Sequence, residues 1–176
     1  MRTSVNEPQD VFEQAFALLL SGGAEVEVYR EDPCWGSERG RREHIPLVPN
    51  LVTTVGMNFL AQWVSSYAVG ANSQMAYMAV GTATTVASIN QTTLPGEVVR
   101  KAFSAVSVSA NSWTVVTTFG GGSDSIANVT ITEAGIFNHA SSAQGIMYNR
   151  ILVSSQFTLA NSDIAAIRIY SAIGSR

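Results

Sequence analysis

Charge is what this chain has least of. Asp, Glu, Lys and Arg together make up 13% of it, against about a quarter in an ordinary soluble domain. Lys and Arg number 10 against 13 Asp and Glu, a formal net charge of −3. Nucleic acid is thereby disfavoured as a partner, because neutralising phosphates takes clustered cations. Cysteine is almost absent too. With Cys34 alone there is no internal disulfide and no thiolate metal cage. The two histidines, His44 and His139, fall in no metal-ligand spacing. No long apolar run exists: Phe16 to Leu20 is too short for a membrane span, and the acidic residues ahead of it do not suit a signal peptide. These features predict a protein made in a cytosol and soluble there. A heptad or collagen-like repeat is also lacking, which excludes a self-contained fibre shaft.

Ser, Thr, Asn and Gln supply the polarity instead, giving a neutral, hydroxyl-rich surface suited to packing against other subunits. At 176 residues the chain is long enough for one domain with a real core and a tail. The segment EPQDVFEQAFALLLSGG carries helix signals. Pro8 and Asp10 suit a first turn, Gly22 and Gly23 suit a stop, and Val11, Phe12, Ala15, Phe16, Leu19 and Leu20 share one face. AEVEVYR alternates as a half-exposed strand, and Glu31 to Glu43 is a charged loop holding Arg39, Arg41 and Arg42. Pro46 and Pro49 make HIPLVPNLV extended. TTVGMNFLAQWVSSY predicts a second helix capped by Thr53 or Thr54, with Val55, Phe59, Leu60, Trp63 and Val64 buried.

From Gln74 onward the patterns are those of strands: MAYMAVG, VVRKAFSAVSVS, NSWTVVTTF, IANVTITEAGIFN, GIMYNRILVSSQFTL and DIAAIRIYSAI, separated by a polar loop over 82–95 and a flexible GGGSDS loop. Trp113, Val115, Thr117 and Phe119 share one face. Many strands between Gly, Ser and Asn turns predict an antiparallel β-sandwich, mainly β, with one packed helix and an N-terminal helical arm. The predicted division is an arm, strand and charged loop over 1–45 and a β-sandwich domain over 46–176.

Candidates for chemistry are sparse. No Ser-His-Asp order, nucleophile elbow or P-loop is present. The glycines of GGGSDS do not join a strand to a helix, as a phosphate cradle requires. Glu31 with Asp32, and Asp124 with Glu133, are the carboxylate pairs available for acid–base work. NQT at 90 and NVT at 128 match a glycosylation pattern that is common by chance. Trp35, in a loop, is the one tryptophan placed for stacking on a glycan. The expectation is a protein with no catalytic activity, no cofactor and no metal.

The order of segments is more specific than any one residue. VPNLVTTVGMNFLAQWV, MAYMAVGTATTVAS, LPGEVVRKAFSAVSVSANSWTVVTTF, ITEAGIFN and GIMYNRILVSSQFTL follow one another from about Pro46 to the C-terminus. This order resembles a family of small bacteriophage virion proteins described as tail-fibre or tail-associated. Ala83 departs from the glycine usual in that family's VGTGTT turn. The resemblance implies a β-sandwich module that assembles on a phage particle with other virion proteins, as a homo-oligomer for which it suggests a trimer. It leaves open a tail-associated or fibre-type module, or a capsid decoration protein.

Two structural roles follow as expectations. Glu133, beside Gly135 in ITEAGIFN, is expected to lock a strand corner by accepting backbone hydrogen bonds or pairing with Arg100 or Lys101. Val11, Phe12, Phe16, Leu19 and Leu20, with Arg39, Arg41 and Arg42, form the expected assembly interface. An isolated helix this short is marginal in water and needs a docking surface.

Overall fold

The computed structural model describes residues 20–30, 41–49, 51–56, 74–109, 112–142 and 144–173. Among them ten strands form two antiparallel sheets. They are β1 (Leu20–Arg30), β2 (Arg41–Pro49), β3 (Leu51–Val52), β4 (Tyr77–Gly81) and β5 (Glu97–Ala102). The rest are β6 (Ala105–Ser109), β7 (Ser112–Gly120), β8 (Thr130–Phe137), β9 (Met147–Thr158) and β10 (Ile164–Ile173). Sheet 1 runs β2-β1-β10-β7-β6 and sheet 2 runs β3-β9-β8-β4-β5. The expected mainly β, sandwich-type architecture is what the chain adopts.

The core lies between the sheets because alternation aims one face of each inward. Sheet 1 contributes Val26, Val28, Val115, Phe119, Ile167 and Ile169, and sheet 2 meets them with Met78, Ile136, Tyr148 and Ile151. Trp113 and Tyr148 join the sheets by a tilted ring contact, centroids 5.5 Å apart. Trp113, Val115, Thr117 and Phe119 do share the inner face of β7.

Three boundaries differ from those expected. Leu20, placed on the helical stripe, is the first residue of β1 and pairs with Ile173, while Gly22 and Gly23 lie opposite Ser171 and Tyr170. Local stop signals lose here to a ladder that β10 continues along the whole strand. Val11, Phe12, Phe16, Leu19 and Arg39 lie outside the described residues, as do Glu31, Asp32, Cys34 and Trp35. Second, the charged loop ends earlier than Glu43. Arg41 and Arg42 begin β2 and lie opposite Arg30 and Tyr29 of β1. A division between residues 45 and 46 therefore cuts through β2, and β1 is a full member of sheet 1. Third, VVRKAFSAVSVS is two strands. The chain leaves sheet 2 after Ala102, crosses at Phe103–Ser104, and enters sheet 1 as β6.

Thr53 is the helix cap, and it works in both directions. Its Oγ1 accepts from Gly56 N at 3.1 Å, three residues into the helix that opens at Thr54. The same hydroxyl donates to Met147 O at 2.6 Å, binding the helix start to β9. Gly56 is required there, because a Cβ would sit 2.2 Å from Tyr148 O. Phe59, Leu60, Trp63 and Val64, the expected continuation, lie outside the described residues.

The GGGSDS segment is anchored, contrary to the flexible loop expected. Asp124 Oδ2 accepts from Gly120 N at 2.8 Å, and Gly121 N and Gly122 N donate to Asp163 O and Asn161 O, both at 2.9 Å.

Candidate functional site

Glu133 sits on β8 at a break in the pleat. The β8–β9 register shifts between Ile131 and Glu133: Ile131 lies opposite Phe157 and Glu133 opposite Leu152, so the surplus residues are on β9 and Thr132 alone faces residues 153–156. Across this irregularity the alternation along β8 reverses. Ile131 faces the inter-sheet core together with Ala134 and Ile136, although simple period-2 reasoning puts them on opposite faces. Glu133 is turned to the other face of sheet 2, where the loop over 82–96 covers it. Phe137, Ala79, Leu94 and Met147 form a second, smaller core under that same loop.

Neither Arg100 nor Lys101 partners Glu133. Its partner is Arg150 of β9, whose Nε donates to Glu133 Oε2 at 2.7 Å with both side chains wholly buried. Register explains the meeting. Arg150 lies opposite Gly135, and Glu133 opposite Leu152, so the two are diagonal neighbours on one face. Glu133 Oε1 accepts from Gly96 N at 2.8 Å and from Ala83 N at 3.3 Å, one from each end of the loop. Arg150 holds the middle: Nη1 donates to Gln91 Oε1 at 2.9 Å and Nη2 to Thr85 Oγ1 at 3.3 Å. Thr132 Oγ1, next to Glu133 at the register shift, donates to Ala83 O at 2.9 Å. The two charged side chains thus organise a loop that has no ladder of its own. Burying two charges is costly, and such a pair persists when hydrogen bonds satisfy what the partner leaves over.

The glycines nearby are spacers. A Cβ on Gly81 would lie 2.5 Å from Glu133 Oε1, and one on Gly135 would lie 2.9 Å from Asn149 O. Gly135, expected to serve the strand corner, keeps β8 close to β9. Ala83 is no handicap. Ser125 and Asn128 are the non-glycine residues with positive φ among those described, so position 83 does not need a left-handed backbone.

The other expected partners have their own occupations. Arg100 pairs with Glu97 at 2.6 Å, lies 3.5 Å from the Phe137 ring centroid, and donates to the carbonyls of His139, Ser141 and Gln144. That arrangement closes the β8–β9 connection. Lys101 Nζ bonds Asp124 Oδ2 at 2.8 Å and Thr118 O at 3.0 Å, tying sheet 2 to sheet 1. The Asp124–Glu133 carboxylate pair is therefore not assembled as a pair; each carboxylate has its own cation. His44 is exposed on β2 of sheet 1. His139 follows β8 of sheet 2, with Nδ1 accepting from Ser141 N at 3.0 Å.

Among the described residues, no three His, Cys, Asp or Glu side chains gather as a metal site. No described helix is long and apolar enough to cross a membrane. The arrangement around Glu133 can hold a loop in one shape; with both oxygens occupied by donors, it offers no free acid or base face. Arg150 was the residue that sequence reasoning missed. Its signal was there: an arginine inside the apolar strand MYNRILV must be paired if that strand is buried.

Compared with known protein families, curated proteins and solved structures, the chain matches none.

Proposed function

We propose that this chain is a non-enzymatic structural protein of a bacteriophage particle, a tail-associated or fibre-type module that works as a homo-oligomer. The observation that carries the reading is the ordered set of segments from Pro46 onward. The placement of those segments supports it. VTTVG supplies Thr53 and Gly56, VGTATT supplies Gly81, Ala83 and Thr85, LPGE supplies Gly96, and TEAG supplies Thr132, Glu133 and Gly135. Each of these takes part in close packing or in the buried network on sheet 2. Their chemistry is spent on shape. A role that asks only for a persistent surface fits such a protein, made in a bacterial cytoplasm and carried on the virion. The trimer remains the symmetry that the resemblance suggests.

A capsid decoration protein is the second reading, favoured by the low charge and the lack of any fibre repeat. Quantitative mass spectrometry of purified particles separates the two. A few to a few tens of copies place the chain on the tail, whereas copies on the order of hundreds place it on the capsid lattice. Absence from washed particles overturns both. Glycan contact through Trp35 belongs to a different class of function, and glycan binding lost in Trp35→Ala would be its sign.

A further inference from the structure

A two-sheet sandwich has four edge strands, and each is an invitation to pair with another chain unless something blocks it. Three of the four are blocked. β2 carries Arg41, Arg42, Glu43 and His44 and two prolines, 46 and 49. β3 is two residues long. β5 carries Glu97, Arg100 and Lys101. The fourth, β6, is Ala105-Val-Ser-Val-Ser109, exposed at every position, without charge, proline or bulge. The uncharged stretch extends from Ala102 to Ser123.

β6 also exposes side chains that point toward the core. Val106 lies opposite Val115 and Val108 opposite Trp113, so both valines continue the inner face of β7. Val115 is buried and Trp113 packs against the core, yet Val106 and Val108 are 60% and 74% exposed. The apolar layer of sheet 1 runs on past the point where the described residues cover it. An interface that resembles a core cut in half is the mark of a permanent association.

We propose that β6 pairs antiparallel with β6 of a second copy, about a two-fold axis at Ser107, joining two five-stranded sheets into one of ten strands. Three features of the strand select a second copy as the occupant. The sequence is self-complementary: in the register centred on Ser107, Val106 meets Val108 of the second copy, serine meets serine, and Ala105 meets Ser109. That register is the one that pairs all five residues. The free backbone groups also agree with it. With two residues between them, Ser109 and Ser112 close the β6–β7 ladder, and a two-residue connection makes that closing pair, and by alternation Ser107–Thr114, hydrogen-bonded rungs. The N–H and C=O of Val106 and Val108 are left aimed outward, and in this register those two residues exchange bonds across the axis. The valines of both copies then close over each other. A two-fold contact of this kind is isologous and closed.

The inference deepens the homo-oligomer part of the function proposed above and puts an even-numbered assembly in place of the trimer, because three copies cannot all pair about two-fold axes. It rests on that part alone, so it can fail while the virion reading stands. The test uses the full chain with Cys34→Ser as background. Ser107 faces its own copy as a non-hydrogen-bonded pair, with Cα atoms about 4.5 Å apart, within disulfide reach. Ser107→Cys is expected to form a covalent dimer on air oxidation, whereas Val106→Cys, which faces a valine, is not. Sedimentation of the unmodified chain is expected to give an even number of copies. The double variant Val106→Lys with Val108→Lys is expected to weaken self-association on the order of 100-fold or more. Sedimentation as a monomer at about 100 µM, or as an odd-numbered oligomer, overturns the proposal. So does failure of Ser107→Cys to cross-link, or unchanged association of a folded lysine variant. Should the lysine variant not fold, the cysteine pair decides.

Discussion

Arg150 Nε and Glu133 Oε2 lie 2.7 Å apart with no solvent exposure on either side chain. The contact joins two neighbouring strands of sheet 2 and fixes the loop over 82–96 at both ends and in the middle. Removing one partner leaves a buried charge without compensation, which costs far more than the pair contributes net.

Glu133→Gln or Arg150→Met is therefore expected to destabilise the fold by about 3–5 kcal/mol. The double variant Glu133→Gln with Arg150→Met is expected to cost less than the sum of the singles, because no orphan charge remains. Urea unfolding of the four proteins measures this. Amide exchange should show protection lost first at Ala83 and Gly96, the two backbone donors to Glu133. Additive costs would mean that the two residues act separately.

Gly56→Ala is expected to cost about 1–3 kcal/mol, since the new methyl meets the backbone carbonyl of Tyr148, which cannot swing away. Ala83→Gly, which restores the glycine of the family-like turn, is expected to help nothing. With no positive φ at 83, glycine there only adds freedom to the unfolded chain, a loss of about 0.4–1 kcal/mol. Thermal melts of both variants check the contrast.

Burial raises the Tyr148 hydroxyl from its ordinary 10.0 to about 12, with the neighbouring Ser171 hydroxyl pulling weakly the other way. Below pH 10 the phenol is protonated in both folded and unfolded chains, and its contribution to stability is whole. Between pH 10 and 12 the unfolded chain ionises while the folded one does not, so stability falls as pH rises. The loss is on the order of 2–3 kcal/mol when complete. Tyr148→Phe is expected to flatten the decline between pH 10 and 12 in a series of urea unfolding curves. An unchanged slope would assign the decline to other groups.

Thr117 is fully buried on the inner face of β7, and its Oγ1 has no hydrogen-bond partner among the described residues. Thr117→Val keeps the shape and removes the orphan hydroxyl. It is expected to raise stability by up to about 1 kcal/mol, seen as a higher denaturation midpoint at unchanged m-value. A loss of stability would show that the hydroxyl is satisfied in solution.

Period-2 alternation made most of the sheets legible. Val26 and Val28, Trp113 to Phe119, and Ile167 with Ile169 face inward as their spacing requires, because each strand buries one face and any other register would expose it. Thr53 was legible as a cap for a similar reason: its hydroxyl meets a donor three residues away, whatever the rest of the chain does. Tertiary structure alone decided what depends on contacts distant in sequence. Leu20 ends a helical stripe and Gly22 and Gly23 carry helix-stop signals, yet 20–23 are strand because β10 offers a ladder about 150 residues away. The register shift between Ile131 and Glu133 puts Ile131 and Ala134 on the same side, which no alternation rule foresees. Glu133 could be singled out from its neighbours, but not given its partner. Arg100, Lys101 and Arg150 were all within the chain's reach, and cation type does not choose among them. Strand order does: β9 lies beside β8 and brings Arg150 one diagonal step from Glu133, while β4 stands between β8 and the strand that carries Arg100 and Lys101.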